Sequence, residues 1–264
     1  MNLNLYILTV AVAAIIGAAV GSFVAAAGLR ISSDKSIIST PSSCDFCKRR
    51  LGVFDLIPII SYAVNRGKCQ YCGQSLTPLY IGTEIAFTLI AVCAALFADF
   101  DWSLFLILGA IILLGICAVS DFKSMLLPLP AMICIGCLGL TSQFIDHGNQ
   151  GLIDAVFSLL AGVAVIAIPG LLYWGIRKTH GFGEGDYWLM GAIGSWMTWV
   201  EAIVIFYSAT VLCLFATLIE AIWRGQSLHA LDQKPIGAFL SLLAVIYLSA
   251  KLCNLETYFE VLLQ

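Results

Sequence analysis

Apolar positions in this chain neither alternate nor recur in stripes; they run on unbroken. Eight such runs lie near 5–28, 79–98, 103–120, 129–144, 152–176, 187–198, 200–222 and 235–253. Several reach the roughly 18–20 residues that a helix needs to cross a bilayer. The pattern predicts an all-α membrane protein with about eight transmembrane helices. The sixth run is short and contains glycine, which predicts a tilted helix or one that merges with the seventh in a hairpin. Composition agrees: 61% of the 264 residues are hydrophobic and 11% are charged, with a mean hydropathy of +0.98. A soluble domain of that length needs far more polar surface. No basic stripe with interleaved aromatics is present, so nucleic acid is not an expected partner, whereas membrane lipid is.

The stretch from Met1 to Leu29 carries no charge. Ala25-Ala26-Ala27 imitates a signal-peptide cleavage site, but no basic segment precedes it and the run is too long, which predicts a retained first transmembrane helix. Gly17 and Gly21 form a Gly-x-x-x-Gly step, either a close helix contact or two ordinary small residues in an alanine-rich helix.

One long polar stretch, Arg30 to Pro78, separates the first two runs. It holds Arg30, Lys35, Lys48, Arg49, Arg50, Arg66 and Lys68, and the positive-inside rule places it in the cytoplasm. Alternating sides from there puts Lys123, Arg177, Lys178, Arg224 and Lys234 on the same side. The loops assigned outside, Asp99–Asp101 and Asp146–Asn149, carry no Lys or Arg. Only Lys251 disagrees, so eight spans account for twelve of thirteen basic residues. The tail from Asn254, NLETYFEVLLQ, changes character and resembles a protease-site linker, so it is set apart from the functional reading.

Ten cysteines fall into two populations. Cys93, Cys117, Cys134, Cys137, Cys213 and Cys253 lie in or at the end of apolar runs, where cysteine serves as a small hydrophobe. Cys44-Asp-Phe-Cys47 and Cys69-Gln-Tyr-Cys72, separated by 21 residues, have the spacing of a Cys₄ zinc site. Each knuckle offers two thiolates from one turn, and two turns close a tetrahedron. Gly73 suits the positive φ that such a turn requires. Nearby Lys48, Arg49, Arg50 and Lys68 offset the dianionic centre. Two disulfides or four free thiols are the alternatives, and a reducing cytoplasm argues against disulfides. Four protein thiolates leave no open position, so the zinc is expected to be structural. Between the knuckles, Leu51–Tyr62 is too apolar for a solvated loop and is expected to pack on the membrane surface or the bundle.

Carboxylates within or beside spans cost roughly 2.5–3.5 kcal/mol each at mid-bilayer, so each calls for a reason. Asp121 ends the third run, and Asp186 follows Gly183-Glu184-Gly185 just before the sixth; the topology puts both at cytoplasmic helix ends. Alone, Asp121 is an interfacial helix-end charge and Asp186 an N-cap at a helix entry. Together they make a candidate aspartic dyad, in which one acid stays protonated while the other activates water. The glycines let an extended peptide approach Asp186.

These motifs resemble the type IV prepilin peptidase family, membrane aspartic peptidases with a Gly-x-Gly-Asp motif. The likeness rests on Gly21-Ser22-Phe23, the four knuckle cysteines with Phe54-Asp55-Leu-Ile-Pro58 and Arg66-Gly67-Lys68 between them, Asp121 with Leu127-Pro128, Phe182–Asp186 with Gly194, and Lys234-Pro235-Ile236-Gly237. Leu129, Ile236, Ala238, Tyr187-Trp188 and the residues after Arg30 depart from the family pattern. The resemblance implies catalytic Asp121 and Asp186, with Gly183, Glu184, Gly185, Leu127 and Pro128 in the active-site loops. It also implies cleavage of leaders from prepilin or pseudopilin precursors of type IV pilus and type II secretion systems, at the cytoplasmic face of the bacterial inner membrane. Methylation of the new N-terminus by S-adenosylmethionine is implied as well. No methyltransferase motif is visible; Glu84, at the start of the second span, is a candidate for that chemistry, against the alternative of an interfacial helix-start charge. The implied organisation is a first transmembrane helix at 1–29, a cytoplasmic tetracysteine zinc domain at 30–78, a peptidase bundle at 79–253 and the tail at 254–264. An aspartate-based ion-coupled transporter and a noncatalytic zinc-bearing scaffold are the competing classes.

Overall fold

The computed structural model describes residues 3–44, 46–179, 181–225 and 234–253. The expected tail, 254–264, lies outside them. The described residues form α1 (Leu3–Ile31), α2 (Ile60–Val64), α3 (Pro78–Phe97), α4 (Trp102–Ser124), α5 (Leu129–Arg177), α6 (Glu184–Gly194), α7 (Trp199–Arg224) and α8 (Ile236–Leu252), with a 3₁₀ turn at Phe54–Leu56. No strand occurs among them beyond two isolated bridges, Ser43 with Arg50 and Lys68 with Ser75. Five helices, α1, α3, α4, α5 and α7, are long and apolar enough to cross a membrane, and α8 is a shorter apolar helix. This is a multi-pass membrane protein.

Helix ends follow local chemistry. Asp101 caps α4 by accepting the Leu104 amide at 3.0 Å, and Thr198 with Glu201 forms a capping box on α7. Pro78 and Pro130 sit in the first turns of α3 and α5, where no intrahelical bond is lost. The expected connection between the fourth and fifth runs is a tight break at Gly148, with φ 64° and ψ −147°, that divides α5 into two helices. A Cβ at Gly151 would stand 2.3 Å from the Gln143 carbonyl, so the chain turns sharply there. The sixth run starts earlier and ends sooner than expected, as eleven-residue α6. A turn separates it from α7, so the two do not merge.

The fold divides into two compact units. Of the described residues, the first holds those through Asp99 together with 249–253; the second is Phe100–Leu248. In the first, α1 lies directly on α3. A Cβ at Gly17 would stand 2.5 Å from the Phe87 carbonyl, and one at Gly21 2.5 Å from the Thr83 carbonyl. The Gly-x-x-x-Gly step is therefore a true close contact between helices.

In the second unit, α4 buries Ile107, Ala110, Ile111, Leu114, Cys117 and Asp121 along one stripe. Helical spacing thus carries Asp121 inward with its apolar neighbours. Helices α5 and α6 meet along a seam of small residues. Cβ atoms at Gly162 and Gly194 would each come within 2.5 Å of a carbonyl, that of Met190 and that of Ser158. The opposite side of α7 exposes Val204, Val211, Phe215 and Ile219, an apolar surface suited to lipid.

Candidate active site and metal centre

Asp121 sits in the last turn of α4. Met125 closes that helix in the left-handed region, φ 55°, its amide bonded to the Asp121 carbonyl at 2.8 Å. The Ser120 hydroxyl holds the following turn by donating to the Leu126 carbonyl at 2.7 Å. Asp186 occupies the third position of α6, and its carboxylate reaches back to accept the Gly183 amide at 3.1 Å. Asp121 and Asp186 are buried, 4% and 8% exposed. Both line one cavity of about 940 Å³ together with Leu127, Gly183, Gly185 and Lys234. The sequence interval of 65 residues is closed because α6 packs on the loop after α4: a Cβ at Gly185 would stand 3.0 Å from that of Leu127. Glu184 also lines the cavity but is exposed.

Two features of this cavity come from the stretch Lys234–Ala238. The Ala238 amide, in the first turn of α8, donates to the Asp121 carboxylate at 2.6 Å. Lys234, just before α8, is paired with Glu220 of α7, which also holds Arg224 at 2.7 Å. A backbone donor leaves no trace in a sequence; Gly237 beside it was the available hint.

The four cysteines, Cys44, Cys47, Cys69 and Cys72, come together with every sulfur within 4.8 Å of the others. The two knuckles are copies of one turn. The Lys48 amide bonds to the Cys44 carbonyl at 3.0 Å and the Gly73 amide to the Cys69 carbonyl at 2.8 Å. Lys48 and Gly73 both take positive φ, 58° and 69°. The Cys44 and Cys72 sulfurs are 3.9 Å apart, close to the roughly 3.8 Å edge of a tetrahedron with Zn–S bonds of about 2.3 Å. The amides of Tyr71 and Cys72 aimed at its sulfur bring the Cys69 thiol down to about 7. The Gln74 amide pulls Cys72 the same way, but desolvation and the three neighbouring sulfurs outweigh it and push that thiol up to about 11. Four thiols this close cannot all ionise without a cation among them. The donor set, geometry and charge fit zinc.

Glu84 departs from the expectation of an interfacial charge: it is 6% exposed and accepts the Ile59 amide at 2.7 Å. Cys134 and Cys137 are exposed on α5, and no metal cluster includes them among the described residues.

Residues 15–98 match the family described as Bacterial Peptidase A24 N-terminal domain, and residues 108–218 match the Type IV leader peptidase family. The prepilin leader peptidase/N-methyltransferase of Bacillus subtilis (strain 168) is 31% identical over 238 residues, 88% of this chain and 92% of that protein. This chain belongs to the type IV leader peptidase family. Proteins of the same name from Pectobacterium carotovorum and Dickeya chrysanthemi are 33% and 32% identical, over 70% and 78% of this chain and 65% and 70% of their own lengths. No solved structure matches. The A24 N-terminal match contains all four cysteines and Glu84, and the leader-peptidase match contains both aspartates. Each cluster therefore falls within one of the two family segments.

Proposed function

We propose that this chain is a membrane aspartic endopeptidase that cleaves leaders from prepilin or pseudopilin precursors and N-methylates the new amino terminus. The family match and the names of the relatives support both activities. The observation that carries the peptidase reading is the convergence of buried Asp121 and Asp186 on one cavity. In that reading the ionised carboxylate of the pair takes a proton from water, whose oxygen bonds to the scissile carbonyl carbon. The protonated carboxyl gives its proton to the carbonyl oxygen. Collapse of the resulting gem-diol breaks the C–N bond, and the leaving amine takes a proton. Gly183, Glu184 and Gly185 on one side and Leu127-Pro128 on the other flank an extended substrate.

Eight crossings follow if α5 counts as two spans. Its 49 residues are two helices joined across the break at Gly148, and at about 1.5 Å per residue each is long enough to cross most or all of the roughly 30 Å hydrocarbon core. The basic residues then orient the dyad and the zinc loop toward the cytoplasm of a bacterial inner membrane. The cysteines would hold a structural zinc, which cross-links the two knuckles and neutralises their thiolates. S-adenosylmethionine, when bound, supplies an electrophilic methyl group; the described residues offer no cluster that can be assigned to it.

The deciding experiment is leader cleavage in proteoliposomes. Asp121→Asn and Asp186→Asn should each lose activity by about a thousandfold or more while keeping the wild-type unfolding temperature. A folded variant with full activity would remove the aspartic mechanism.

A further inference from the structure

The two carboxylates are held differently. Asp186 stands at the head of its own helix and bonds to an amide of its own turn, at 3.1 Å. Asp121 stands at the tail of α4, where the helix dipole disfavours a negative charge. Its partner comes from elsewhere in the fold: the buried 2.6 Å bond from Ala238, at the head of α8. Both contacts are of the kind that stabilises a charged carboxylate at a helix N-terminus, and the shorter of the two falls on Asp121.

That approach is possible only because position 237 has no side chain. A Cβ there would stand 2.9 Å from an Asp121 carboxylate oxygen and 3.0 Å from a Leu127 methyl. We propose that the head of α8 is the third, backbone member of the dyad: the Ala238 amide, admitted by Gly237, holds Asp121 as the charged partner and leaves the shared proton on Asp186. The proposal rests on the aspartic reading above and assigns its roles. Asp121 takes the proton from water, and Asp186 gives its proton to the substrate carbonyl oxygen. Gly237 and Ala238 are positioning residues.

Other groups also bear on the charge at Asp121. Asp186 and Glu184 line the cavity from α6, Tyr173 from α5 and Lys234 from the approach to α8. Cys117 on α4 and Cys213 on α7 interact with it electrostatically. None of these donates the bond that Ala238 supplies.

The test separates the amide from the packing. Ala238→Pro deletes the donor in a first turn, where proline costs no intrahelical bond. Gly237→Ala keeps the donor but drives a methyl against Asp121. Gly175→Ala, whose Cβ would meet nothing within 4 Å, is the control for the glycine change itself. Cleavage of a purified precursor is followed as kcat and KM across pH, beside thermal unfolding and an Asp121→Asn preparation. Both test variants should lower kcat roughly 10- to 100-fold, the loss expected for one hydrogen bond to a charged group. KM should stay within about threefold. The acid limb of kcat/KM should move to higher pH, because an unsupported Asp121 needs a higher pH to carry its charge. Wild-type kcat and an unmoved limb in folded Ala238→Pro, with Asp121→Asn inactive, would overturn the proposal and leave the dyad standing. An active Asp121→Asn would instead remove the aspartic reading itself.

Discussion

Ile59 adopts φ 62° and ψ −50°, a region that a β-branched side chain enters only under constraint. The Ile60 amide closes the turn on the Pro58 carbonyl at 2.6 Å, and the Glu84 carboxylate takes the Ile59 amide at 2.7 Å. Such strain costs about 1–3 kcal/mol, and a buried, charge-assisted bond is of the size needed to offset it. Glu84→Ala should therefore lower the unfolding free energy by about 1–3 kcal/mol and speed hydrogen exchange across Leu51–Val64. Glu84→Gln, which keeps an acceptor oxygen, should lose less. Equal stability and exchange in both variants and the wild type would show that the bond holds nothing. The same contrast explains what could be read from the sequence at this scale. Asp121 and Asp186 stood out because carboxylates beside apolar runs are costly, and the cysteines because their spacing matches a turn. Glu84 was visible only as a charge, since its partner is an amide of an isoleucine. Ala238 stood out only as a departure from the family pattern, because what it supplies is a backbone amide.

Helices show the converse: their existence was legible and their joints were not. Unbroken apolar runs marked α1, α3, α4 and α7 because a membrane demands length and low polarity. The stretch 145–151 was expected to be a loop, since it is polar. It is a tight break instead: Gly148 alone leaves helical angles, at a positive φ open to glycine, and divides two helices there. The short α6 has a packing explanation. Gly191 and Gly194 leave no room for a Cβ, the nearest atoms being a Val163 methyl at 2.8 Å and the Ser158 carbonyl at 2.5 Å. The helix that carries Asp186 is thus set directly onto α5. Gly194→Leu should force this seam apart at a cost of about 1–3 kcal/mol or more, and leader cleavage should fall with it. Gly175→Leu, on the same α5 but facing open space, should do neither. Detergent-phase unfolding and cleavage rates measured together decide the matter. A Gly194→Leu protein with wild-type values in both would mean that the seam does not position the acid.

At the scale of the molecule, the thiol cluster and the dyad draw on separate stretches of chain. Every bond described for the knuckles lies before Asp99, whereas both acids, the Gly183 amide and the Ala238 amide lie within Phe100–Leu248. Zinc held by the four thiolates, as proposed, would release on the order of 10 kcal/mol or more, and that free energy would organise the loop that binds it. The thiolates and the carboxylates lie in different compact units, so peptide hydrolysis should need the zinc less than methyl transfer does. A Cys69→Ser, Cys72→Ser double variant should contain little zinc, against about one ion per chain in the wild type, and lose exchange protection across 44–75. Leader removal should persist at a reduced rate, and methylation of the new amino terminus should fall further. Mass spectrometry of a single precursor scores both products in one reaction, which removes differences in substrate and reconstitution. Complete loss of cleavage from a protein whose helices stay folded would mean that the zinc loop completes the peptidase site. Wild-type rates of both reactions would assign the loop to a different task.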